Sequence, residues 1–126
     1  MSVRGIRGAT VVDEDNPDQI IHATRELLEA IQSQNPSFEP SEIASIIFTV
    51  TADLNSAHPA RAARDMGWTD VPMICAQEIP VPNTLPRCIR VLVHWNTPLP
   101  QRSIQHIYLR EARQLRPDLA LRGLGE

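Results

Sequence analysis

A chain of 126 residues, 42% hydrophobic, is long enough to bury one core and too short for two. Its net charge of −3 excludes a global attraction to nucleic acid or to an anionic membrane surface. Two cysteines outside any CxxC spacing exclude a secreted disulfide framework, and no stretch approaches the roughly 20 apolar residues of a membrane-spanning helix. The N-terminus lacks the apolar run of a signal peptide, so a soluble, cytoplasmic protein with a single domain over 1–126 is expected.

In chain order, residues 3–12 read as a strand. Their β-branched residues favour extended backbone, and Gly5 and Gly8 allow close approach of another chain segment. Asn16-Pro17 opens a helix, with Asn as the cap and Pro in the first turn. Ile20, Thr24, Leu27, Leu28 and Ile31 recur at helical spacing, and Asn35-Pro36 ends the helix. Residues 40–43 suit one helical turn, 46–51 an apolar strand, and 59–66 a shorter helix stopped by Gly67. Residues 71–79 read as a third strand, followed by a loop fixed by Pro80, Pro82 and Pro86. A fourth strand covers 88–96. Residues 106–115 suit a fifth strand, with a helical turn at 111–113 as the alternative, and the tail after Pro117 reads as mobile.

This order gives an α+β fold: about five strands in a mixed sheet, with one long and one or two short helices on one face. One long helix cannot cover both faces of five strands. The other face must meet water or a second subunit, so an oligomer is expected.

Several familiar chemistries lack their signatures. There is no GxGxxG or Walker loop, no GxSxG elbow and no HExxH, and the four histidines show no metal-ligand spacing. A zinc site gathered from distant residues stays open. What stands out is charge within strands. All twelve basic residues are Arg, whose planar fork matches carboxylates two bonds at a time. Alternation puts Ile89, Val91, Val93 and Trp95 on one face of the fourth strand and Arg90 on the other. Arg90 thus lies on a solvated face or reaches into a polar pocket. Arg7, between Ile6 and Gly8, poses the same choice. Arg61 and Arg64 share one face of the short helix. Glu78 ends the third strand, and Tyr108 is either core or part of a site. Cys75 and Glu78 would face opposite sides of a regular strand, and reach one pocket only if it bends or ends between them. The residues alone point to a small oligomer whose strand-borne Arg residues bind a dianionic small molecule.

Several segments then resemble, in order, the AroH-class, monofunctional chorismate mutases. They are Arg4-Gly5-Ile6-Arg7-Gly8-Ala9-Thr10, Thr51-Ala52-Asp53-Leu54, Pro59-Ala60-Arg61-Ala62-Ala63-Arg64, Val71-Pro72 with Cys75-Ala76-Gln77-Glu78, Arg87-Cys88-Ile89-Arg90-Val91, His106-Ile107-Tyr108-Leu109 and Leu115-Arg116-Pro117-Asp118-Leu119. The resemblance implies a homotrimer whose sheets pack around the three-fold axis, with sites between subunits. It implies a cofactor-free Claisen rearrangement of chorismate to prephenate, on the way to phenylalanine and tyrosine. Arg90 would donate to the ether oxygen, and Glu78 would accept from the ring hydroxyl and face the cationic ring fragment. Arg7 and Tyr108 would hold the side-chain carboxylate. Cys75, Ile74, Ala76 and Gln77 would line the Glu78 side, Arg64 and Arg116 would lie near the other carboxylate, and Leu115 would cover the pocket. His58, Ala60 and Arg61 would form the rim, where His58 replaces a family Phe, Arg61 replaces a Lys, and segment 55–58 is one residue longer.

Two other readings compete. One is a non-catalytic trimeric module that binds small carboxylates, and the other a trimeric deaminase of similar shape. Neither needs Glu78 opposite Arg90, and a rearrangement does. The expected partners are chorismate and further copies of the chain, with no cofactor, metal, nucleic acid or membrane.

Overall fold

The structure, a computed structural model, describes residues 1–117. Strand β1 (Ser2–Val11) leads into helix α1 (Pro17–Gln34), strand β2 (Ile43–Val50), helix α2 (Ala60–Asp65) and strand β3 (Met73–Gln77). Strands β4 (Cys88–Thr97) and β5 (Ile107–Tyr108) follow, and 3-10 turns lie at Pro40–Glu42, Gln101–Ser103 and Arg110–Gln114. No helix among the described residues is long and apolar enough to cross a membrane. The five strands form one mixed sheet in the order β3-β2-β4-β1-β5. The β1/β4 and β2/β4 pairs are antiparallel, and β2/β3 and β1/β5 are parallel.

Helix α1 begins where its chemistry requires. The Asn16 side chain accepts from the N–H groups of Asp18 and Gln19 at 2.9 and 3.2 Å, satisfying two donors that a helix start leaves open. At the other end Asn35, only 3% exposed, donates from Nδ2 to the carbonyls of Ile31 and Gln105 and accepts from the Gln105 N–H. One amide thus ends the helix and fixes the chain that enters β5. The buried stripe Ile20, Ala23, Thr24, Leu27, Leu28 and Ile31 lies on the sheet. There it meets a core that includes Ile6, Phe48, Val91, Val93 and Trp95. Each such large side chain contributes about 1.5–3 kcal/mol on burial.

Gly8 sets how closely α1 rides. A Cβ at this position would lie 2.9 Å from Val91 Cγ1 and 3.1 Å from Leu27 Cδ1. Gly8→Ala is therefore expected to destabilise the fold by about 1–3 kcal/mol through overpacking. Urea unfolding would show this as a lower midpoint at unchanged slope. A midpoint equal to wild type would mean that the helix can shift outward at no cost.

Three expected boundaries change. The strand expected over 71–79 shortens to five residues, because Pro72 has no N–H to give and Pro80 stops continuation. Even so, Glu78 N–H donates to the Val50 carbonyl at 2.8 Å, so the chain hugs the sheet one residue beyond β3. Strand β2 begins earlier than expected, at Ile43, with a register shift before Ser45. The element expected over 106–115 is neither a full strand nor an isolated turn at 111–113. Two residues pair with Gly8 and Ala9 of β1, and Arg110 then takes φ 54°, which turns the chain into the 3-10 segment. Its side chain secures that turn through the Val11 carbonyl at 3.0 Å and Glu26 at 3.3 Å. The tail expected to be mobile falls on 118–126, outside the described residues.

Both helices lie on one face of the sheet. By alternation and register the other face carries Val3, Arg7, Arg90, Leu92, His94, Ile47, Thr49, Ile74 and Ala76. Val3 and Ile74 on this face are 52% and 63% exposed.

Candidate active site

The antiparallel pairing of β1 with β4 sets Arg7 opposite Leu92 and Ala9 opposite Arg90. Across β4, Arg90 is opposite Thr49 of β2. Parallel pairing places Tyr108 beside Ala9, and Glu78 arrives from the sheet edge beyond β3. Together Arg7, Thr49, Glu78, Arg90 and Tyr108 line a concavity of about 280 Å³ on the uncovered face, with Ile47 and Leu92 as its apolar wall. That volume is close to the lower end of small-molecule sites, which begin at roughly 300 Å³.

Arg90 Nε stands 3.9 Å from Glu78 Oε2, with the two side chains 47% and 31% exposed. The separation is beyond hydrogen-bond reach, so the pair is held apart instead of closed on itself. Glu78 Oε2 accepts a 2.6 Å hydrogen bond from Thr49 Oγ1. The Arg7 backbone N–H donates to His106 Nδ1 at 2.9 Å, which requires that nitrogen to be unprotonated. This bond ties β1 at Arg7 to the segment that carries Tyr108. Tyr108 is buried with Ala9, Val11, Cys88 and Ala112, and half-buried Leu115 packs against the cluster. Burial pushes the Cys88 thiol pKa up, and the neighbouring Arg90 charge offsets part of the rise.

A second concavity, of about 390 Å³, is lined by His58, Pro59, Cys75, Ala76, Gln77 and the loop 54–57. Cys75 pairs with Phe48 and packs against the core on the helix side, whereas Glu78 reaches the other face. Within this chain Cys75 and Glu78 therefore lie on opposite faces, as the regular alternation of a strand requires. The backbone bond from Glu78 to Val50 keeps strand alternation intact through residue 78. Ile74 lies on the uncovered face opposite Ile47. Ala60 is buried in the core, so its side chain packs and does not line either concavity. Arg61 and Arg64 project from α2 into solvent, Arg61 at 3.9 Å from Asp65, and half-buried Arg116 follows the last 3-10 turn. The loop bearing His58 is held by Asp15, whose Oδ1 accepts from the N–H groups of Asn55 and Ser56 and from Ser56 Oγ at 2.7 Å. The Ser56 hydroxyl draws the Asp15 carboxyl below the usual range, desolvation opposes it, and the Asn55 and Ser56 backbone donors add to the lowering. Among the described residues no group of three His, Cys, Asp or Glu side chains is placed to hold a metal ion.

Residues 3–119 match the family described as chorismate mutase type I. The chain belongs to that family. A chorismate mutase AroH from Thermus thermophilus is 56% identical over 117 residues, covering 93% of this chain and 96% of the relative. A second chorismate mutase AroH, from Bacillus subtilis (strain 168), is 42% identical over 122 residues, covering 96% and 95%. Among solved structures, a chorismate mutase from Clostridium thermocellum superposes with a TM-score of 0.85 at 46% identity, covering 87% of this chain and 97% of that one.

Sequence reasoning missed Thr49, His106 and Asp15. Thr49 shares a face with Ile47 on an apolar strand, a visible signal, but its neighbours Arg90 and Glu78 come from distant segments whose pairing no local pattern fixes. His106 and Asp15 act on backbone groups distant in sequence, for which the sequence carries no mark.

Proposed function

We propose that this chorismate mutase carries chorismate to prephenate in the concavity of Arg7, Glu78, Arg90 and Tyr108, by charge stabilisation and conformational restriction. The observation that carries this reading is the 3.9 Å gap between Arg90 and Glu78. As the ether bond stretches, the oxygen gains negative charge and the ring fragment positive charge. A guanidinium on one side and a carboxylate on the other match that separation, and both stand ready before the substrate arrives. Arg90 donates to the ether oxygen. Glu78 accepts from the ring hydroxyl and faces the cationic fragment. Arg7 and Tyr108 hold the side-chain carboxylate and keep the reacting carbons within bonding range. A carboxylate-binding module would gain nothing from Glu78, because a second carboxylate repels an anionic ligand.

The active form on this reading is a homotrimer, with the uncovered sheet faces turned toward one another around the three-fold axis. The exposed apolar residues Val3 and Ile74, with half-buried Ile47 and Leu92, support this. A neighbouring subunit then supplies His58, Cys75, Arg61 and Arg64 as the other wall, and Arg116 and Leu115 close the mouth. The compartment is the cytoplasm, which the free thiols of Cys75 and Cys88 suit.

Chorismate absorbance followed with chelator-dialysed protein tests this reading, with light scattering on the same sample. Full activity is expected without added metal or cofactor, nearly flat between about pH 6 and 9 because no proton is transferred. Scattering is expected to give a trimer. A stable 14.1 kDa monomer with full activity would overturn the shared site. A bell-shaped profile that persists in His58→Ala would overturn the electrostatic mechanism.

A further inference from the structure

We propose that Thr49 is a positioning residue for the rearrangement, whose hydroxyl holds Glu78 away from Arg90 and presents its second oxygen, Oε1, to the substrate. This rests on the role assigned above to Glu78. Thr49 lies on β2 between Ala76 of β3 and Arg90 of β4, on the uncovered face. Its Oγ1 donates to Glu78 Oε2 at 2.6 Å, a short, charge-assisted hydrogen bond. The same oxygen is the one nearest Arg90 Nε. Both contacts thus fall on Oε2.

Glu78 needs such a tether. It sits one residue beyond the end of β3, and its backbone joins the sheet through one bond to Val50. Its side chain has three rotatable bonds, and a full positive charge lies 3.9 Å away. An untethered carboxylate would close that distance and form a bidentate pair with the guanidinium. Each charge would then be spent on the other, and the ether oxygen and the ring fragment would lose both. Thr49 resists this collapse because its χ1 is stiff, so the hydroxyl direction follows from the strand. A valine in its place has the same shape and no donor.

Thr49→Val is expected to lower kcat roughly ten- to hundredfold while KM changes much less, since a hydrogen bond to a charged group is of that size. Thr49→Ser is expected to restore most of the rate. Thr49→Ala serves as a second removal of the hydroxyl should the valine variant fold poorly, and thermal midpoints separate loss of folding from loss of rate. In a Glu78→Ala background, adding Thr49→Val should change kcat little, because the hydroxyl then has nothing to hold. Wild-type kinetics in both Thr49→Val and Thr49→Ala would overturn the proposal. So would a serine variant as slow as valine, or the same loss with and without Glu78. If Glu78→Ala were itself as fast as wild type, the reading of the site would fail, and that result is distinct from a failure of Thr49 alone.

Discussion

Glu78→Ala is expected to lower kcat by about two to three orders of magnitude, the usual cost of removing one preorganised charge or donor aimed at the transition state. Glu78→Asp should retain part of the rate and Glu78→Gln little more than alanine. Geometry separates the three. The carboxylate reaches the concavity from the sheet edge, anchored by its backbone bond to Val50 and its side-chain bond to Thr49. Aspartate keeps the charge but ends one methylene short, so it loses the Thr49 contact and part of its reach. Glutamine keeps an acceptor and the length but cannot stabilise a cationic ring fragment. Initial rates of chorismate consumption at saturating substrate would read the series. A glutamine variant close to wild type would show that Glu78 acts only as a hydrogen-bond acceptor. An alanine variant as fast as wild type would remove Glu78 from the site.

Local chemistry made much of this fold legible. Asn16-Pro17 and Asn35-Pro36 bracket α1 because caps and prolines act on adjacent residues. The alternation of β4 placed Arg90 apart from Ile89, Val91, Val93 and Trp95 before any partner strand was known, and those four are buried in the structure. The lone helical stripe correctly implied a sheet with one bare face. What failed to show was set by distant partners. Strand β5 stops after Tyr108 because β1 offers it two residues and Arg110 turns away to reach Val11 and Glu26. Nothing within 106–115 announces this.

The site divides along the same line. Arg7, Arg90, Glu78 and Tyr108 could be singled out as charge or hydroxyl in unusual places, and family resemblance gave them roles. Their convergence, however, depends on the register Ala9 to Arg90 to Thr49, which joins three strands far apart in sequence. The parity of Cys75 and Glu78 was the most informative conflict. One expectation put them in a single pocket, and strand alternation put them on opposite faces. The structure keeps the alternation, so Cys75 and Glu78 line two separate concavities on one chain. A sequence rule about one strand thus decided which concavity each residue joins.

Loss of Arg90 is expected to harm the chemistry most of all. The ether oxygen gains charge only as its bond breaks, so a donor fixed there binds the transition state better than the substrate. Removing one preorganised donor costs about 10²–10³ in rate, or about 2.7–4 kcal/mol. Arg90 brings a full charge as well as donors, into a concavity that a second subunit would dry, and a larger loss is therefore expected for Arg90→Ala. Arg90→Lys should recover little. The ammonium keeps the charge but loses the planar fork, and from β4 its single point can satisfy the ether oxygen or a carboxylate, not both. Citrulline in place of Arg90 separates charge from shape, since it keeps the outline and most donors and is neutral. Substrate should bind this variant nearly as well as wild type and turn over far more slowly, with KM almost unchanged and kcat reduced by at least the hundredfold cost of a lost donor. Pre-steady-state single turnovers would separate the chemical step from product release. Should the lysine and citrulline variants both raise KM and leave kcat intact, Arg90 would be a group that holds chorismate, and charge stabilisation at the breaking bond would no longer account for the rate.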